Sequence, residues 1–196
     1  STFFLLGSII AYLYYRAEPR RKMYYISLAA FLLGLLAKVT ILTLPVLLLL
    51  VDWHERRAWD RRMIMEKIPY FALTIAFAII AWIGKTGVLA SSTLMEKILM
   101  APVSIVFTLQ KIFLPIGLSV LYPFTGALSP GNPAVLVPAV ILTVILILTL
   151  LSLRRTREVF FGMAFFLITI SPTLFNFAKG NALYFASDRY AYIPSI

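Results

Sequence analysis

The amino-acid sequence predicts an all-α fold, a polytopic transmembrane helical bundle, from three observations. Hydrophobic residues make up 61% of the 196, against roughly 45–50% in soluble domains. They collect into six long runs with few or no charges, on the scale of the about 20 residues that cross a bilayer core. The basic residues fall in short clusters between those runs, the arrangement that orients membrane helices.

Residues 2–15 read as a short span. Residues 23–51 are too long for one upright span and are interrupted by Lys38 and Pro45. They are expected to enter and return as two short helices that meet around Lys38, Val39 and Thr40. Residues 68–84, 134–153 and 159–175 each read as one span. Residues 98–122 carry Lys111 in their middle, and Pro102 and Pro115 are expected to break or bend the helix on either side. They either form a hairpin of their own or lie along the outer face. Residues 123–133, with Gly126 and Gly131 between prolines, read as loop. The chain carries no internal repeat and no low-complexity tract.

Charge sets the expected topology. Twelve of the 18 Lys and Arg residues lie in three clusters: Arg16, Arg20, Arg21 and Lys22; Arg56, Arg57, Arg61, Arg62 and Lys67; Arg154, Arg155 and Arg157. All three are placed in the cytoplasm. Lys38 then stands near the outer leaflet, residues 68–84 lead outward, 134–153 return, and residues 176–192 lie outside. The same clustering explains the net charge of +10 without nucleic acid as a partner. With no cysteine and a single histidine, His54, the chain has no disulfide, no thiolate metal site and no histidine cluster. Nothing in it points to a cofactor, and dependence on a divalent metal is left open.

A series of short blocks runs through the apolar segments. Ser27-Leu28-Ala29-Ala30-Phe31 precedes Leu35-Leu36-Ala37-Lys38, Thr43-Leu44-Pro45 and Leu47-Leu48-Leu49-Leu50-Val51-Asp52-Trp53. Glu66-Lys67-Ile68-Pro69-Tyr70-Phe71, Lys111-Ile112-Phe113-Leu114-Pro115 and Leu121-Tyr122-Pro123 follow, and Asp188-Arg189-Tyr190-Ala191-Tyr192-Ile193-Pro194-Ser195-Ile196 closes the chain. In this order, over almost the whole length, the blocks resemble the membrane region of the transmembrane and tetratricopeptide-repeat O-mannosyltransferase family and its bacterial relatives.

The resemblance implies a partial GT-C-like fold, with residues 1–196 forming part of a transmembrane glycosyltransferase domain. It implies catalytic acidic residues in an external loop upstream of Ser1, and a soluble tetratricopeptide-repeat domain beyond Ile196. It further implies a polyprenyl- or dolichyl-phosphate sugar as donor, a protein or glycan as acceptor, and membrane lipid as surroundings. The location would be a bacterial inner membrane, or the endoplasmic reticulum in a eukaryote. The sugar and the acceptor do not carry over, and on this reading the stretch alone is inactive.

Within the sequence itself, Lys38 and Arg189 are the candidates for binding the lipid phosphate, with Asp188, Tyr190 and Tyr192 in support. A planar guanidinium grips phosphate at two points, whereas an ammonium acts as a point charge. Each has a plainer reading. Lys38 can snorkel to the interface, Arg189 can pair with Asp188, and Tyr184, Tyr190 and Tyr192 can form an interfacial aromatic belt. Asp188 is a poor base beside an arginine, which stabilises its charged form. The alternative function is a multi-pass transporter or lipid flippase, in which the break at Lys38 is a discontinuous helix. That class places matching breaks in two repeats, and only one is seen here.

Overall fold

The computed structural model describes residues 1–89, 93–126, 128–174, 178–179 and 182–196. The chain forms two compact units, Ser1–Gly84 and Lys85–Ile196.

In the first unit, helix α1 (Thr2–Ala17) ends ahead of Glu18 and Pro19, whose ring cannot continue it. Helix α2 (Arg21–Ala37) returns antiparallel. The contacts run in opposite directions along the two helices: Tyr15 packs on Tyr24 and Ser8 meets Ser27, while Gly34 faces Phe4. Ser8 Oγ donates to the Ser27 carbonyl at 2.8 Å and Ser27 Oγ to the Ser8 carbonyl at 2.7 Å, both fully buried. Small hydroxyl residues at this level let the backbones come close and cross-link two apolar helices.

Residues 23–51 do form two helices that meet where expected. Helix α2 stops at Ala37, Lys38 is extended (φ −162°), and a 3-10 turn spans Val39–Thr43. Helix α3 (Leu44–His54) starts with Pro45 in its first turn, where a missing N–H leaves nothing unpaired. Gly34 makes the reversal possible. A Cβ there would sit 3.1 Å from Phe4 Cβ and inside the contact distance of Ile41 Cδ1.

Helix α3 is stopped by Arg56, which adopts a left-handed conformation (φ 53°) usually left to glycine. The N–H of Arg57 then donates back to the Asp52 carbonyl at 2.9 Å. Helix α4 (Arg61–Leu89) is capped by Asp60, whose Oδ1 accepts from the Met63 N–H at 2.7 Å. It runs alongside α2 in the same direction: Tyr24 donates to the Glu66 carbonyl (2.9 Å) and Tyr70 to Ser27 Oγ (2.8 Å). Further along, Thr74 donates to the Leu42 carbonyl in the 3-10 turn (3.2 Å).

In the second unit, helix α5 (Leu94–Phe113) opens with a reciprocal capping box between Thr93 and Glu96. It continues through Pro102, against the break or bend expected there, and excludes a hairpin within residues 98–122. Continuing forfeits one hydrogen bond, whereas ending the helix would orphan several backbone groups. Helix α6 (Pro133–Ser152) begins at Asn132, whose side chain accepts from the Ala134 N–H at 3.0 Å. Helix α7 (Glu158–Ile170) is shorter than the span read at 159–175, because Pro172 follows in a 3-10 turn, Ser171–Thr173. Met100, Val103 and Val135 form one buried cluster, and Ile105, Phe166 and Ile170 another, so α5 packs with both α6 and α7.

The unit also holds a small antiparallel sheet that an all-α reading did not include. Its strands are β1 (Tyr122–Pro123), β2 (Ala178–Lys179) and β3 (Ala182–Ala186), in the order β1-β3-β2. Tyr122 pairs with Ala186 and Pro123 with Tyr184. Segments this short carry no periodicity that separates them from loop.

Among the described residues, two helices are long and apolar enough to cross a membrane: residues 61–84 of α4 (24 residues, mean hydropathy 1.7) and α6 (20 residues, 3.0). Neither hides its apolar surface inside the protein, for only 11% of each is buried. On α6, Val140, Ile147, Leu148 and Leu150 all stand exposed. A strip of this kind is not left in water.

Candidate functional site

Charged side chains from three apolar helices converge at one end of the first unit. Asp52, in the last turn of α3, is fully buried, and a carboxylate there opposes the helix dipole. Cations compensate it. Lys67 Nζ, from the second turn of α4, lies 2.6 Å from Asp52 Oδ2, and Arg57 Nη1 lies 3.5 Å away. Arg16 Nη1 stands 3.3 Å from Oδ1. Tyr12, one turn before Arg16 on the same face of α1, donates to Oδ2 at 2.8 Å. Its hydroxyl in turn accepts from Arg57 at 2.8 Å and from Lys67.

A second carboxylate extends the network. Glu66 Oε1 accepts from Tyr15 at 2.9 Å and from Arg62 Nε at 3.2 Å, and Glu66 Oε2 lies 2.8 Å from Arg57 Nη2. Burial alone would lower the pKa of Arg57, but its hydrogen bond to Glu66 and the charges of Glu66 and Asp52 outweigh it, and the net shift is upward. Arg57 therefore stays charged and clamps both carboxylates. Beside the network is an open-sided hollow of about 690 Å³, bordered by Tyr15, Arg21, Tyr24, Arg61, Arg62 and Glu66. A smaller one of about 270 Å³ touches Arg16, Arg57 and Asp60.

Sequence reading placed Asp52 and Lys67 only as the borders of a basic loop and missed their pairing. The available signal was local. Asp52 closes the uncharged run Leu44–Val51, and Tyr12 and Arg16 share a face. Neither spacing says that the α3 terminus returns to the end of α1, which is what brings them together.

Lys38 caps the far end of α2 and is exposed; its N–H donates to the Gly34 carbonyl at 2.9 Å. Arg189 belongs to the second unit, in a 3-10 turn formed by Asp188–Tyr190. Lys38 belongs to the first unit. Asp188 does not take Arg189 as its partner, contrary to the pairing weighed for it. Its carboxylate accepts from Tyr122 at 2.9 Å and from the Ser119 N–H, and its own N–H donates to the Ser119 carbonyl. Arg189 instead lies over the Tyr190 ring, 5.1 Å from its centre, and donates to its hydroxyl at 3.2 Å. Tyr192 is exposed and Tyr184 half-buried in β3. Of the preceding segment, Asn176, Gly180 and Asn181 lie outside the described residues.

Lys111, expected mid-span, stands instead in the last turn of α5. Its ammonium donates to the carbonyls of Ile116 and Gly117 and lies 5.4 Å from the Tyr122 ring centre. Gly117 (φ 61°) supplies the left-handed residue this loop needs. The Tyr122 hydroxyl is raised above its ordinary pKa, by burial first and then by its bond to Asp188. Lys111, Ser119, Tyr122 and Asp188 thus fix the loop that carries Arg189 without occupying the guanidinium. Among the described residues no three acidic or histidine side chains converge as metal ligands would.

No known protein family, curated protein or solved structure matches this chain.

Proposed function

We propose that this chain is part of a multi-pass membrane glycosyltransferase that uses a polyprenyl-phosphate-linked sugar donor on the outer side, with Lys38 in the first unit and Arg189 in the second each a candidate contact for lipid phosphate. One observation supports the reading most. In the first unit the two basic loops gather at one end, while Lys38 stands at the opposite end of α2, about 25 Å away at 1.5 Å per residue. With the basic end in the cytoplasm, that distance carries Lys38 to the outer leaflet. The ordered sequence blocks supply the donor chemistry. Departure of a lipid phosphate builds negative charge, which fixed cations stabilise. The acceptor hydroxyl would be activated by a carboxylate not assigned among these residues.

The test has two arms. Single cysteines at Trp59 and Thr156 should resist an impermeant thiol reagent in sealed membranes, while one at Lys38 should react. The opposite pattern overturns the topology. Binding of polyprenyl monophosphate to the chain in nanodiscs should fall on the order of 10-fold for Arg189→Ala, with Arg189→Lys recovering part. In the protein as the cell makes it, donor-dependent sugar transfer should fall in parallel. Wild-type binding and turnover by folded Arg189→Ala would return that arginine to a structural role.

A further inference from the structure

The hollow at the basic end of the first unit has no part in the donor chemistry above, since it lies at the other end of α2 from Lys38. We propose that it is a binding site for the phosphodiester headgroup of an anionic membrane lipid on the cytoplasmic side. Arg21, Arg61 and Arg62 supply its cations; Tyr24, Tyr25 and Met65 supply an apolar border.

The charge balance points to an anion. Glu66, the carboxylate of this hollow, already faces Arg57 at 2.8 Å and Arg62 at 3.2 Å and accepts from Tyr15. Among the described residues neither Arg21 nor Arg61 faces a carboxylate, so both remain in excess. The helix ends add to this. Arg21 opens α2, whose N-cap is Arg20, with no side-chain cap and no acidic residue in the first turn. Arg61 opens α4, where the only acid is the N-cap Asp60, already engaged by the Met63 N–H, so the uncapped helix end at this hollow is that of α2. Cations at a helix N-terminus oppose the dipole, and an anion seated between Arg21 and Arg61 relieves both charges and the uncapped end of α2.

The lipid source follows from the border. Tyr25 and Met65 are 64% and 53% exposed on the flank of apolar helices, beside the arginines. A diester headgroup brings acyl chains to such a surface, whereas free phosphate gains nothing from it. The site rests on the membrane reading of these helices but not on sugar transfer, and its test involves no donor.

The full chain is reconstituted in nanodiscs of phosphatidylcholine with a minority of phosphatidylglycerol, extracted gently, and its retained lipid identified by native mass spectrometry. Phosphatidylglycerol should be enriched over phosphatidylcholine about 30-fold, at about 1 kcal/mol for each of two arginines. The variant Arg21→Gln/Arg61→Gln should fall to near parity with its thermal stability kept, since both side chains are exposed. Arg154→Gln/Arg155→Gln removes the same charge from another basic loop and should keep the enrichment. Equal loss in both variants would reduce the effect to general surface charge and overturn the site. So would full retention in the first variant. Competition by inorganic phosphate, with no preference between the two lipids, would give the hollow to a free anion and overturn the lipid assignment.

Discussion

The two units of this chain are similarly apolar in sequence and hold themselves together by different means. In the first unit, buried polar groups cross-link the helices: Ser8, Ser27 and Tyr70 join α1, α2 and α4, and Asp52 ties α3 to α1 and α4 through Tyr12, Arg16 and Lys67. In the second, aliphatic clusters lie between α5, α6 and α7, and a ring cluster of Phe107, Tyr122, Phe124 and Phe185 joins helix to sheet. The charged groups that join its parts, Lys111 and Asp188, lie at a helix end and in a loop turn. Apolar packing tolerates exchange among side chains of similar volume, whereas a buried ion pair fails when one partner is removed. Single substitutions should therefore damage the first unit more, and through fewer residues.

The largest effect is expected at Asp52. Asp52→Ala leaves Lys67 and Arg16 without their carboxylate, while Arg57 keeps Glu66, and breaking a buried pair costs roughly 3–5 kcal/mol. Folded protein recovered in detergent and its unfolding midpoint should both drop sharply. Lys67→Met alone should also destabilise, while Asp52→Leu/Lys67→Met should lose less than the two single changes together. A near-neutral Asp52→Ala would erase the distinction between the units.

A steric prediction comes second. Gly34→Ala places a methyl against Ile41 Cδ1 and 3.1 Å from Phe4 Cβ, where the chain reverses after α2. The Ile41 tip can rotate away but the Phe4 Cβ is fixed by its own helix, so the strain is in the usual overpacking range of about 1–3 kcal/mol. Ile41→Val removes the offending Cδ1. Adding it to Gly34→Ala should restore part of the loss in thermal unfolding. If Gly34→Ala unfolds like wild type, the reversal is looser than this geometry.

How far the sequence foretold this depends on the range of each signal. The two helices within residues 23–51 were legible because a lysine and a proline interrupt an apolar run, and both act through neighbouring residues. The uninterrupted α6 was legible from composition alone. The continuation of α5 through Pro102 was not, because a proline's local preference is weighed against every other hydrogen bond of its helix. The pairing of β1 with β3 joins segments some sixty residues apart and has no local trace. The charge network failed to show for the same reason. Tyr12, Asp52 and Lys67 lie on different helices, and only the return of α3 makes them neighbours. Arg189 was legible as an isolated cation, but its stacking on Tyr190 and the binding of Asp188 to Ser119 and Tyr122 needed the loop's path.

The smallest effect sharpens the comparison at the second unit's own polar cluster. Tyr122 has the Asp188 carboxylate (2.9 Å) and the Gly117 carbonyl (3.0 Å) as acceptors for its one hydroxyl proton, and packs its ring against Phe107 at 4.6 Å. Tyr122→Phe keeps the ring and removes only the hydroxyl, at a site where water replaces the lost partners. The unfolding midpoint should fall by on the order of one degree. The pH dependence isolates the same bond. Because Tyr122 titrates higher folded than unfolded, its contribution is complete below the ordinary tyrosine pKa of about 10 and is lost as pH rises through the folded value. Wild type and Tyr122→Phe should therefore differ by a constant amount up to about pH 10 and converge above it. A gap that stays constant at higher pH would mean the hydroxyl acts through packing alone. A loss as large as that of Asp52→Ala would mean the second unit, too, depends on a single polar knot.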